Sequence, residues 1–159
     1  MFSVVVPPMV AKWGKHAKAG FYPFLAATSS SEARRIKADR FHFPYHEESI
    51  DAQFIETDDK VRIRIFGAGK PILDLSITPG AWDTTTHLLQ GFMMNGEERL
   101  RTTLQISGDY TMHENEEGQM TLFPHPITAD LLRHEVSPHP FREHWFKNGT
   151  EVFHMLETI

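Results

Sequence analysis

Eight consecutive residues, Phe41-His42-Phe43-Pro44-Tyr45-His46-Glu47-Glu48, crowd aromatic rings, two imidazoles and two carboxylates around one proline. Imidazole and carboxylate are zinc ligands, and imidazole also moves protons near neutral pH. The spacing argues against a metal. His42 and His46 share a face only in a helix, which Pro44 between them disfavours, and in a strand they stand roughly 13 Å apart, too far for one ion bound at ~2 Å. Further on, Val61, Ile63 and Ile65 alternate with Arg62, Arg64 and Phe66, which puts both arginines on one face of a strand. That face is either a solvated outer surface or, if the sheet is concave, a pair of forked donors for a carboxylate. His125, His134, His139, His144 and His154 are scattered over turns and the chain's end, where a solvated or internally satisfied imidazole is the plain expectation.

Other chemistries are excluded by what is missing. The chain has no cysteine, so it has no thiolate nucleophile, disulfide or thiolate metal site. Gly67-Ala68-Gly69-Lys70-Pro71 lacks the hydroxyl residue and following helix of a phosphate loop and reads as a hairpin turn, and no Gly-x-Ser-x-Gly elbow occurs. Sixteen basic against 21 acidic residues leave a net charge of −5, which excludes nucleic acid and anionic membrane as expected partners. Met1–Val6 has no basic flank and is cut short by Pro7-Pro8, and no apolar run reaches 18 residues. A cytoplasmic protein is the expectation.

The elements that must position these residues are mostly strands. With 159 residues, 40% apolar, the chain suits one domain spanning 1–159, and no linker or repeat divides it. Strands are predicted at 2–6, 21–27, 50–57, 60–66, 72–77, 98–106, 110–114 and 119–123, with a less regular stretch from Thr78 to Gly96. Ser29 and Glu32 stand at capping-box spacing and predict a short helix over 31–39, and a second is expected at 128–134. Asn148-Gly149 is the preferred type I′ pair and predicts a hairpin joining 141–147 to 150–156. The fold class is therefore mainly β, an antiparallel sheet with two short helices.

At Phe43-Pro44 the sequence resembles the acetoacetate decarboxylase superfamily. The resemblance rests on a strand at Phe21–Ala27, a short helix with Ala33, Asp39, then Phe43-Pro44 and two strands joined by an acidic turn. It continues in Met120-Thr121-Leu122-Phe123-Pro124-His125-Pro126, Asp130-Leu131-Leu132, Glu135-Val136 and the final Glu151-Val152-Phe153-His154-Met155-Leu156. The resemblance implies a curved antiparallel sheet closing towards a cone or barrel, a pocket for a small keto acid or polyketide-like acid, and a homo-oligomer. In that family two adjacent lysines follow the proline, one of them forming an imine with the substrate. Here Tyr45 and His46 occupy those positions, and nothing local to Lys37 or Lys70 predicts an activated amine.

What the resemblance then implies is a lyase or isomerase that needs no cofactor and works by acid/base chemistry. In it His46 is the acid/base, Tyr45 donates to an enolate oxygen, Glu47 or Glu48 orients the imidazole, and Arg62 or Arg64 holds the substrate carboxylate. Phe43, Trp82 and His125 would complete the substrate pocket. The alternative is a member that has lost catalysis and only binds a small molecule.

Overall fold

The computed structural model describes residues 2–11, 18–78, 80–114, 118–140 and 142–159. They form strands β1 (Phe2–Ala11), β2 (Lys18–Ala27), β3 (Ile50–Glu56), β4 (Val61–Gly67), β5 (Lys70–Ile77), β6 (Asp83–Asn95), β7 (Glu98–Glu114), β8 (Gln119–Leu122), β9 (Arg142–Phe153) and β10 (Glu157–Thr158), with helices α1 (Ser31–Phe41) and α2 (Ala129–Arg133). The class is mainly β. One sheet of six strands runs β1-β2-β6-β7-β10 with β9 also on β7, and is curled as a half-barrel. A second, wholly antiparallel sheet runs β3-β4-β5-β8.

The chain divides into two compact units. The first comprises Met1–Glu47, Thr86–Gly108 and Gly149–Ile159, and the second Glu48–Thr85 and Asp109–Asn148. Three of the four crossings fall inside β6, β7 and β9, so continuous strands carry the chain over and no linker composition marks the boundaries. Among the described residues no helix is long and apolar enough to cross a membrane.

In the first unit, the Ser30 side chain accepts the Ala33 N–H to start α1, and Glu32 in the first turn complements the helix dipole. The cap is thus Ser30, one residue past the expected Ser29. Ala33 then sits where a capping box needs a carboxylate, so Glu32 cannot complete one. His42 ends the helix in the left-handed region (φ 51°) and donates its N–H to Ala38 O, turning the chain towards Phe43. Ala26, Phe43, Met93 and Leu100 form this unit's buried cluster, with Phe41, Tyr45, Phe153 and Leu156 packed on it.

In the second unit, Val61 pairs with Ile77, Ile63 with Leu75 and Ile65 with Leu73, an apolar face whose Val61 and Ile77 meet Trp145 in the core. Arg62 opposite Ser76 and Arg64 opposite Asp74 form the other face, as the alternation requires. Ala68 (φ 45°) and Gly69 (φ 78°) both take positive φ, the signature of a type I′ hairpin turn and the plain reading of that glycine pair.

Several local expectations change. Asp83–Asn95, read as irregular, is a strand of 13 residues: Thr84-Thr85-Thr86 is β-branched but breaks the alternation by which strands are recognised. The 98–106 and 110–114 segments are one strand, continuous through Gly108. β8, whose sequence suggests a hairpin with 110–114 around Asn115-Glu116-Glu117-Gly118, pairs with β5; residues 115–117 of that turn lie outside the described residues, as does Phe141. The Asn148-Gly149 hairpin does not form. Asn148 takes positive φ (52°), but Gly149 does not, and its side-chain amide donates to Asp109 Oδ2 (2.9 Å) while β9 runs on. The sequence's other Asn-Gly pair makes the turn instead: Gly96 (φ 60°) reverses the chain between β6 and β7.

These geometries predict opposite signs for two swaps between alanine and glycine. Nothing lies within 4 Å of a Cβ added to Gly96, so Gly96→Ala should lose about 1 kcal/mol from backbone strain alone. Ala68→Gly should gain up to about 1 kcal/mol by relieving the same strain. Urea unfolding of both variants measures the pair.

Candidate functional site

In the first unit, α1 and the reversal after it gather a polar group onto the aromatic cluster. Ala26 N–H donates to Pro44 O (3.0 Å) and His46 N–H to Ala26 O (2.9 Å), which ties the Phe43–His46 segment to the end of β2. Lys37 and Phe41 are four apart on α1 and so share a face. The Lys37 ammonium forms an ion pair with Glu151 of β9, with only 14% and 21% of the two side chains exposed. It also donates to the Tyr45 hydroxyl (3.4 Å) and lies 4.9 Å from the centre of the Phe153 ring. Phe153 stands edge-on to Phe43, centres 5.0 Å apart, and Phe41 lies 4.9 Å from it.

Burial, reinforced by the Glu151 charge, pushes the Tyr45 hydroxyl far above the ordinary tyrosine value. The phenol is therefore neutral and a donor throughout the physiological range. Tyr45 and Phe43, two of the expected site residues, come together here (6.2 Å between rings). His46 is half-buried beside Tyr45 in sequence, and Glu47 is exposed. Lys37, expected to lack any special setting, is the desolvated cation of the group, and Glu151 is its counter-ion. The i, i+4 spacing of Lys37 and Phe41 was a readable hint. Glu151, 114 residues from Lys37, left none.

In the second unit, Arg62 and Arg64 do share a face, and both turn to Asp74. Arg62 forks onto its carboxylate through Nε (2.7 Å) and Nη2, and Arg64 Nε lies 3.7 Å away. The Arg62 hydrogen bond holds the Asp74 carboxyl below its usual range. The protein's own carboxylate thus occupies the fork expected for a substrate acid. Around this pair the sheet face forms an open groove of about 470 Å³.

His125 serves the fold. Its Nδ1 accepts the Ile127 N–H (3.2 Å) as an N-cap, which leaves Nε2 to face Glu48 Oε2 at 3.5 Å. Gly67 makes room for this contact: an added Cβ would meet Glu48 Oε1 and His125 Nε2 at 2.9 Å. The Glu48 carboxylate, expected beside His46, thus meets the imidazole of His125. Trp82 packs on the Val61, Ile77 and Trp145 cluster, with Lys147 Nζ 4.1 Å above its ring. Among the described residues no group of three or more His, Asp or Glu side chains is placed to hold a metal.

Glu143 is the second unit's buried acid, 6% exposed. It accepts the Trp145 indole N–H (3.2 Å) and lies so close over Gly118 that a Cβ there would come within 1.7 Å of Oε1. Burial raises its pKa above the ordinary 4.5, opposed by the Trp145 hydrogen bond and the nearby His113 charge. The neutral acid is thus favoured in the folded state, so ionisation weakens the fold as pH rises through and beyond 4.5. Glu143→Gln should therefore melt above wild type at pH 8, by a margin that shrinks towards pH 4; thermal melts across that range measure it.

No family model and no solved structure matches this chain. A curated protein similar to part of it is ribosomal RNA large subunit methyltransferase E of Pelagibacter ubique (strain HTCC1062), 32% identical over 77 residues. The similarity covers 45% of this chain and 37% of that relative, so the chain spans little more than a third of the relative's length.

Proposed function

We propose that this chain is a cofactor-independent enzyme of the lyase or isomerase type, cytoplasmic and homo-oligomeric, acting on a small keto acid or polyketide-like acid by acid/base chemistry. The observation that carries this reading is the Tyr45 hydroxyl, neutral, half-buried and hydrogen-bonded to the Lys37 ammonium. A phenol so placed donates to an oxygen that becomes negative when a base removes the neighbouring C–H proton, and the ammonium behind it offsets the growing charge. His46 supplies the base. The C–H electrons pass to the carbonyl oxygen, which is stabilised by the Tyr45 proton, and the enol collapses by reprotonation or by expelling a β leaving group. In a decarboxylation the C–CO2 bond supplies those electrons instead, CO2 departs and the enol is then protonated on carbon.

The partial likeness to a ribosomal RNA methyltransferase does not carry over. A net charge of −5 gives no excess for neutralising phosphates, and the glycine pair after β4 closes a hairpin instead of opening a helix. Nucleic acid is not among the proposed partners.

The test is solvent-deuterium incorporation at the carbon beside the ketone carbonyl, the methyl of pyruvate and the methylene of acetoacetate, followed by proton NMR. Wild type should accelerate exchange on at least one probe. Tyr45→Phe, which removes a single oxygen, should lose about 100-fold of that acceleration with its melting temperature close to wild type, and His46→Ala should lose a comparable amount. Wild-type exchange rates in Tyr45→Phe would overturn the role given to Tyr45. No exchange by wild type on any probe would overturn the enzymatic reading in favour of a non-catalytic binding protein.

A further inference from the structure

The groove on the outer face of β3-β4-β5-β8 is absorbed by neither the acid/base reading nor the fold. Its floor is set by register. One cross-strand row runs Ile55, Arg62, Ser76 and Gln119, and the next carries Asp74 opposite Thr121. Lys60 closes one end at the β3–β4 hairpin, where the Thr57 hydroxyl accepts its N–H (3.1 Å) and the Thr57 N–H donates to its carbonyl (2.8 Å). The backbone of Lys60 is thus pinned while its side chain is exposed.

The lining has a definite chemistry. Asp74, with only 15% of its side chain exposed, neutralises one of the two cations that line the groove, so a surplus of one positive charge remains. Its carboxylate also orients the Arg62 guanidinium. Two of the five guanidinium N–H groups are taken by Asp74, and the rest are available along a half-exposed edge. Ser76, Gln119 and Thr121 add two hydroxyls and an amide at fixed strand spacing, and Ile55 adds an exposed apolar surface. The volume lies within the range of roughly 300–1,000 Å³ usual for small-molecule sites.

We propose that this groove binds a small polyhydroxylated acid: its oxyanion, carboxylate or phosphate, sits between Lys60 and the free edge of Arg62, and its hydroxyls meet Ser76, Gln119 and Thr121. The oxyanion answers the surplus charge, and a carbon chain bearing hydroxyls answers the mixed row of polar groups beside Ile55. An uncharged polyol satisfies only half of this lining. An open groove with one unbalanced cation binds weakly, in the millimolar range.

The experiment titrates the full-length 15N-labelled chain with gluconate, glucose 6-phosphate and glucose, read by amide chemical shifts. One or both acids should shift the amides of Lys60, Arg62, Ser76, Gln119 and Thr121 with saturation, and which acid does so identifies the oxyanion. Glucose should bind at least about 3-fold more weakly. Lys60→Gln, a change at an exposed hairpin residue, should weaken the acid by about 3- to 5-fold, and 0.5 M salt should weaken it further. Equal binding of glucose, shifts confined elsewhere, no saturable shift, or an unchanged affinity in Lys60→Gln would overturn the proposal. The readout is binding, not turnover, so its outcome is independent of the acid/base reading.

Discussion

The ion pair between Lys37 and Glu151 is the constraint from which the first unit's polar chemistry follows. A cation and an anion that have both lost most of their water are stable only while each keeps the other, and removing one strands the second in apolar surroundings. Everything around the pair is arranged by that requirement. α1 presents Lys37 and Phe41 on one face, β9 presents Glu151 and Phe153, and the left-handed turn at His42 returns the chain so that the Tyr45 hydroxyl completes the ammonium's donor set. Tyr45 is consequently held as a neutral hydroxyl beside the Lys37–Glu151 pair, the group on which the proposed acid/base chemistry draws.

The second unit solves a different problem. A four-stranded antiparallel sheet has one face on the core and one in water, and its wet face here is organised around Asp74. Arg62 and Arg64 share that carboxylate. His125 and Glu48 meet over Gly67, a close approach that a side chain at Gly67 would force to shift. Glu143 is the unit's concession, an acid whose burial works against the ionised form and which is held by an indole N–H.

The parts of this protein that depend on near neighbours were legible. The alternation over Val61–Phe66 assigns the strand, its core face and its arginine face, because a period of two leaves one solution once Val61, Ile63 and Ile65 must be buried. The β4–β5 turn and the place of α1 were readable for the same reason. What failed needed distant partners. Asn148-Gly149 has the composition of a hairpin, but the side chain of Asn148 finds Asp109, 39 residues away, and the strand continues. Asp83–Asn95 is a strand because it pairs with its neighbours in the six-stranded sheet, and its own pattern is too irregular to say so. The candidate site divides in the same way: Phe43 and Tyr45 stood out by local density, whereas Glu151, the group that gives Lys37 its role, lies at the other end of the chain. Arg62 was placed on the correct face, but Asp74 as its partner required the β4–β5 register.

The proposed acid/base chemistry requires Lys37 to be a partner of Tyr45 and Glu151, not an amine that bonds to substrate. Borohydride trapping addresses that directly: the protein is incubated with acetoacetate or pyruvate, reduced, and weighed intact by mass spectrometry. The Lys37 nitrogen is engaged by the Glu151 carboxylate and the Tyr45 hydroxyl and bonds to no substrate in the proposed chemistry, so the predicted result is an unchanged mass. A stoichiometric adduct mapped to Lys37 would contradict the account and assign imine chemistry to this site.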